Sequence, residues 1–353
     1  MPSQASDLAA ALSLSRLEYD VVDVFTDRAF AGNPLAVVYG ADGLTAEQLQ
    51  AITSEFNLSE TAFPVSLTDT DRDASVDYRV RIFTPGGEIP FAGHPTLGTA
   101  WSLSQRGRLL PGNRRQACGA GPIDVHVPDD ALARVELCAR PRDLATELSA
   151  QAVAAVVTSV GLGVDDLVGP VYAAGCGITF VHLPVSPGAV AAARPGHVPL
   201  TGVLAAAQPA VALELMDPLE GVNVFAVIGD GPSQLEVSEP LREEAAPTVA
   251  RSAVATAAEP GITINARVFV PGLSIPEDPA TGAAAAGLGI ALCGLGLAAP
   301  NGQTRYRITQ GVDMGRPSVL HGRVEALDGR PVACRVAGEV RPVASGTIAV
   351  PMA

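Results

Sequence analysis

Apolar and polar residues alternate from Tyr19 to Phe25 and again from Pro34 to Tyr39, with a turn-forming stretch between them; this period of two predicts a β-hairpin. From Leu44 to Phe56 the period changes. Leu44, Leu49, Ile52 and Phe56 recur at roughly helical spacing, Thr45 stands where an N-cap belongs, and Gln48 completes a capping-box pattern. Strand character returns in Glu60–Val65 and Asp77–Phe83, so Glu60 lies where the chain leaves a helix for a sheet. A breaker-rich loop from Thr84 to His94 then leads into Pro95-Thr-Leu-Gly-Thr-Ala-Trp-Ser-Leu103, which reads as a helix with proline at its start. His94 is therefore expected just before a helix N-terminus.

Short strands continue to about Cys138, and Pro141 with Asp143 marks a boundary. Beyond it the plan repeats loosely. Apolar strands near Val171, at Thr179–Leu183, Val222–Ile228 and Ile264–Val270 precede a second breaker loop, Pro271 to Gly282, which runs into an uncharged stretch, Gly282–Ala299. That stretch approaches the length of a membrane span, but it is mostly Ala and Gly and follows a polar loop, so a helix buried inside a domain is the better reading. Each half thus holds strand, Gly/Pro loop with an acid–base residue, and apolar helix. This predicts two pseudo-symmetric α+β halves facing each other across a cleft: residues 17–145, with 345–353 as a candidate completing segment, and residues 146–344. The Ala/Pro-rich region between Pro184 and Pro260, with an acidic patch at Glu236–Glu244, reads as the outer part of the second half, and Tyr306–Val350 as a set of closing strands.

Composition narrows the function classes. A length of 353 residues accommodates two ordinary domains, and 48 % hydrophobic against 17 % charged residues describes a folded chain. The net charge of −14, with 23 Lys and Arg in no dense run, argues against nucleic acid and anionic membranes as partners and leaves a small molecule. Five cysteines without a CxxC pair read as core thiols in a reducing compartment. Met1–Ser15 lacks the basic n-region of a secretory signal, and a cytoplasmic location is expected.

Two loops carry candidate chemistry, because each sets backbone N–H groups of a helix start beside a titratable side chain: Gly93-His94-Pro95-Thr96 and Asp278-Pro279-Ala280-Thr281-Gly282. Facing each other, they would hold a carboxylate and stabilise an enolate-like charge. The competing reading makes Asp278 and Thr281 helix caps and His94 an ordinary loop histidine. Glu60 likewise has two readings: an exposed strand-end carboxylate, or a proton carrier whose pKa is raised in a dry cleft. Neither loop contains a cysteine, no Gly-x-Ser-x-Gly elbow is present, no histidines are paired at metal-binding spacing, and no Gly-rich nucleotide loop occurs. No cofactor or metal is called for.

Several ordered runs resemble a known family: Val22-Asp-Val-Phe-Thr26 with Gly32-Asn-Pro-Leu-Ala-Val-Val38, Asn57-Leu-Ser-Glu-Thr-Ala-Phe63, Arg81-Ile-Phe-Thr-Pro85, Pro90-Phe-Ala-Gly-His-Pro-Thr-Leu-Gly98, Glu277-Asp-Pro-Ala-Thr-Gly282 and Gln310-Gly-Val-Asp-Met-Gly-Arg-Pro-Ser318. The chain is similar to the phenazine-biosynthesis PhzF-like isomerases of the diaminopimelate epimerase superfamily. The resemblance implies two halves, each a sheet wrapped round a central helix, a site between them, no cofactor, and commonly a homodimer. It implies that Glu60 carries a proton between two carbons, with His94 and Asp278 holding polar groups of the substrate. It places Asn33, Gly93, Thr281 and Gly282 among the substrate-binding residues. The alternatives are a one-base amino-acid epimerase and a binding protein that keeps the fold. Two features depart from the family pattern: Ala283 stands where a serine is usual, and the second half is longer than usual.

Overall fold

The computed structural model describes residues 15–141, 144–207, 219–229, 261–271 and 276–352. The expected features at Met1–Leu14, Asp143 and Glu236–Glu244 lie outside these residues. The first half runs β1 (Arg16–Val24), β2 (Asn33–Val38), α1 (Ala46–Phe56), β3 (Glu60–Val65), α2 (Asp69–Asp73) and β4 (Tyr78–Thr84). It continues with β5 (Gly87–Ile89), α3 (Gly93–Gln105), β6 (Gly112–Cys118), β7 (Gly121–Val127) and β8 (Val135–Ala139). The second half runs β9 (Thr146–Glu147), α4 (Ala150–Ser159), β10 (Tyr172–Gly175), β11 (Thr179–Pro184), α5 (Pro187–Ala192) and α6 (Leu200–Ala207). After β12 (Leu219–Gly229), β13 (Ile262–Phe269), β14 (Glu277–Asp278) and α7 (Gly282–Gly294) come β15 (Gly302–Gln310), β16 (Ser318–Leu327), β17 (Arg330–Gly338) and β18 (Val340–Ala349).

Local chemistry explains the early elements. The predicted hairpin forms, with Val24 paired to Asn33 at its closed end. Its turn needs Gly32, whose φ is +69° and where a Cβ would lie 2.3 Å from the Val24 carbonyl oxygen. Helix α1 is opened by the Thr45–Gln48 capping box and closed by Asn57 in the left-handed region, φ 51°, which turns the chain straight into β3 and Glu60.

The two halves share one pairing scheme. In the first, β1–β2 is antiparallel, β2–β3 parallel across α1, β3–β4 antiparallel, β4–β6 parallel across α3, and β6–β7–β8 a meander. In the second, β10–β11, β11–β12, β12–β13, β13–β15 and β15–β16–β17 repeat these relations in order, with α7 in the place of α3. Even the two-stranded stubs correspond, β5 on β4 and β14 on β13. Strand β18 pairs with β1, as β9 pairs with β10, and β8–β17 joins the halves into one sheet network. The repeat is also written in the sequence: Arg81-Ile-Phe-Thr-Pro-Gly-Gly-Glu-Ile-Pro90 matches Arg267-Val-Phe-Val-Pro-Gly-Leu-Ser-Ile-Pro276 in register.

Each sheet wraps a helix that is buried nearly all round, α3 in the first half and α7 in the second. Small residues make this fit: a Cβ on Gly98 would stand 2.6 Å from Leu35, and one on Gly289 would stand 2.6 Å from the Tyr306 hydroxyl. Leu97 and Leu288 supply apolar anchors, each worth about 1.5–3 kcal/mol of burial. The uncharged stretch at 282–299 is thus a helix only over Gly282–Gly294, and among the described residues no helix is long and apolar enough to cross a membrane.

Candidate active site

Helices α3 and α7 meet end to end. A Cβ on Gly93 would lie 3.0 Å from the Cα of Gly282, and one on Gly282 would lie 3.2 Å from the Cα of Gly93, so glycine at both positions allows the contact. Beside this junction opens a cavity of ≈ 490 Å³, mouth included. The first half contributes Glu60, Ile89, Phe91, Gly93 and His94. The second contributes Ile178, Phe180, Glu220, Val270 and Asp278, with Ala280, Thr281, Gly282 and Ala283 at the start of α7. The lining combines large apolar side chains with three carboxyl groups.

Two details of the helix starts differ from expectation. Helix α3 begins at Gly93, so His94 sits inside the first turn and Pro95 follows it; the first-turn N–H groups have no intrahelical partner, which is why proline is tolerated beyond the opening position. Neither Asp278 nor Thr281 acts as a side-chain cap. Asp278 ends β14, and Thr281, although at the N-cap position, donates its hydroxyl to Asp278 Oδ2 at 2.6 Å instead of accepting a helix N–H. The opening N–H groups of both helices are therefore without side-chain caps.

Glu60 stands at the head of β3 with its side chain 16 % exposed, and its Oε2 lies 3.6 Å from His94 Nε2. Both atoms are buried and neither has a hydrogen-bond partner among the described residues. Burial, weakly opposed by a hydrogen bond from Ser59, raises the Glu60 carboxyl to about 7. The reading of Glu60 as an exposed strand-end residue does not hold. Burial lowers His94 to about 4, against the opposing pull of the Asp278 charge and a hydrogen bond to the Pro34 carbonyl, so the imidazole is neutral at pH 7.

Hydrogen bonds hold His94 and Asp278 from behind the cavity. Asn33 Nδ2 donates to Asp278 Oδ1 at 2.8 Å and to the Ala280 carbonyl at 3.0 Å, and it lies 3.3 Å from His94 Nδ1. The ring also bonds the Pro34 carbonyl, and Nε2 faces Glu60. Asn33 does not line the cavity but orders His94 and Asp278 from behind. Asp278, with both oxygens engaged and Gln310 Nε2 donating to its carbonyl at 2.7 Å, is fixed in place. Burial first, and then the Glu60 charge, raise it to about 6.

The structure thus brings Glu60, His94, Asp278, Gly93, Thr281 and Gly282 to one cavity, with Asn33 bridging two of them. It adds Glu220, at the second residue of β12, which sequence reading passed over. Strand pairing relates it to Glu60: Thr61 pairs with Phe83 and Val222 with Phe269, which hold the same place in the repeat, so Glu220 falls one residue from the position equivalent to Glu60. No cysteine is among the described residues that line the cavity.

The fold is of the diaminopimelate epimerase type, shared with a hydroxyproline epimerase from Agrobacterium vitis at a TM-score of 0.56 and 13 % identity over 95 % of this chain and 93 % of that one. A phenazine biosynthesis protein of the PhzF family from Bacillus anthracis superposes with a TM-score of 0.72 at 21 % identity, covering 95 % of this chain and 99 % of that one. In sequence, residues 22–207 and 233–346 match the family model described as phenazine biosynthesis-like protein. The chain belongs to this PhzF-like family, and it is an isomerase. It is 31 % identical over 331 residues to the trans-2,3-dihydro-3-hydroxyanthranilate isomerase of Pseudomonas aeruginosa, covering 93 % of this chain and 98 % of that protein. It is 32 % identical over 337 residues to an uncharacterised isomerase of Mesorhizobium japonicum, covering 94 % and 98 %.

Proposed function

We propose that the protein shifts a proton, and with it a double bond, on a small cyclic metabolite bearing an amine and a carboxylate, with Glu60 as the proton carrier. One observation carries this reading: a buried carboxyl group raised to about 7 whose Oε2 has no partner, aimed with a neutral imidazole into a cavity of substrate size. A group titrating near neutrality both takes and returns a proton efficiently. As carboxylate, Glu60 removes a proton from one carbon; the electron pair moves through the adjacent double bond, and the Glu60 carboxyl, after exchange with solvent, protonates a second carbon. Atoms and oxidation state are conserved, so no co-reactant is required.

The remaining groups fit supporting roles. The uncapped N–H groups at Gly93, Gly282 and Ala283 suit the substrate carboxylate and the charge that develops on it, a contribution worth about 3 kcal/mol where such donors have been deleted. His94 and Asp278 hold polar groups, and the apolar wall of Phe91, Ile178, Phe180 and Val270 seats a ring. The sequence contains no lysine, so no side-chain amine is present to form a Schiff base. A cytoplasmic homodimer completes the proposal by analogy with the family.

The test is incubation with trans-2,3-dihydro-3-hydroxyanthranilate in deuterated water, read by proton NMR. Wild type is expected to yield a double-bond isomer with deuterium on the receiving carbon, and Glu60→Gln to yield none. Equal incorporation by both proteins would overturn the role of Glu60, and a stereoisomer as product would favour a one-base epimerase.

A further inference from the structure

Glu220 enters the cavity from the half opposite Glu60. On β12, Val222 pairs with Phe269, just as Thr61 on β3 pairs with Phe83, and Phe83 and Phe269 hold the same place in the repeat. Glu60 precedes Thr61 by one residue and Glu220 precedes Val222 by two, with a register shift at this end of β12. The pseudo-two-fold arrangement thus supplies a second acid at nearly the same point of the second half.

The charges around it do not balance. Among the described residues, the ionisable side chains lining the cavity are Glu60, Glu220, Asp278 and a neutral His94, with no arginine. Asp278 spends both oxygens on Asn33 and Thr281, and Glu60 faces His94. Glu220 is half-buried and makes no hydrogen bond or ion pair with the described residues. Burial, followed by the charges of Glu60 and Asp278, raises it to about 7. An unpaired carboxylate in such a wall is costly, and a cation from the ligand removes the cost. His94, 4 % exposed with an unpartnered Nε2, independently marks the cavity as built to receive a polar ligand.

We infer that Glu220 is the ammonium receptor of the site, so that the cavity selects substrates carrying a protonated amine together with a carboxylate over amine-free acids. The inference rests on the proposed seating of the carboxylate at the helix starts and is independent of whether Glu60 moves a proton.

The experiment is calorimetric titration of the full chain with two probes, trans-2-aminocyclohexanecarboxylate and cyclohexanecarboxylate. Wild type is expected to prefer the amino acid by about tenfold or more, the range for a charge-assisted hydrogen bond. Glu220→Gln should abolish the preference, with affinity for cyclohexanecarboxylate unchanged or raised because a like charge is removed, and Glu220→Asp, which keeps the charge, should retain part of it. A preference that survives in Glu220→Gln overturns the inference, as does a wild type that shows none, whether it binds both probes equally or neither. Absence of deuterium exchange with the preference intact would instead overturn the proton-transfer reading alone.

Discussion

The two halves have the same strand plan yet treat their acids differently. In the second half, Asp278 has both oxygens satisfied, by Asn33 and by Thr281, and its backbone carbonyl is held by Gln310. In the first, Glu60 is equally enclosed but its Oε2 is left without a partner, 3.6 Å from an imidazole nitrogen that also lacks one. The two halves thus bring these carboxylates to one cavity, and local hydrogen bonding leaves Asp278 fixed by its partners and Glu60 with an open oxygen. An acid with both oxygens bonded resists movement, whereas one with an open oxygen can still accept a partner.

The sharpest way to break this comparison is to remove each charge in turn. Glu60→Gln is expected to lower kcat by about 10²–10⁴-fold, the usual share of a positioned acid–base group, while Asp278→Asn should act mainly on KM. Steady-state kinetics on the two variants would refute the asymmetry if both lost kcat equally.

Gly93→Ala tests the junction that brings the halves together. Its new Cβ would meet backbone, the Gly282 Cα at 3.0 Å, which cannot rotate away as a flexible side chain could. A loss of about 1–3 kcal/mol in urea unfolding is expected, accompanied by loss of activity.

A smaller effect lies in the pH dependence of stability. Glu60 holds its proton up to about 7 in the fold but only to 4.5 when unfolded, so the folded state binds more protons across that window and stability falls as pH rises through it. Asp278, raised from 3.8 to about 6, acts in the same direction. His94, lowered from 6.5 to about 4, binds fewer protons folded than unfolded and adds stability as pH rises between those values. Glu60→Gln removes the first contribution. Its stability relative to wild type should therefore grow between about pH 4.5 and about pH 7, by on the order of 3 kcal/mol, in urea unfolding curves taken at both ends. An unchanged difference would mean that Glu60 is not buried in solution.

The smallest expected effect is at Ala283→Ser, which restores a hydroxyl at the second residue of α7 beside the cavity. A change in KM of less than about tenfold is expected, with kcat unaltered, as for one added polar contact.

Much of this arrangement was legible in order along the chain. The hairpin, the capping box at Thr45 and the strand beginning at Glu60 follow from period and local chemistry, which are properties of neighbouring residues. The start of α3 was misplaced by two residues, because Pro95 is compatible with any position in the first turn and nothing local distinguishes them. Thr281 resembled a cap because its residue type suits one; its hydroxyl instead goes to Asp278, whose carboxylate is the stronger acceptor and is placed within reach by β14. Glu220 was missed because a single glutamate in an Ala/Pro-rich region has no periodicity of its own, and its meaning comes only from its counterpart in the other half.

By itself the sequence determined the elements, the two-fold repeat of strand, breaker loop and small-residue helix, and the residue types able to exchange protons. Tertiary structure alone decided which of them are dry, which are paired and which are left open. Desolvation and hydrogen-bond satisfaction depend on atoms from both halves, such as Asn33 reaching Asp278 across 245 positions of chain. A carboxyl group's pKa is set by that surrounding, not by its neighbours in sequence.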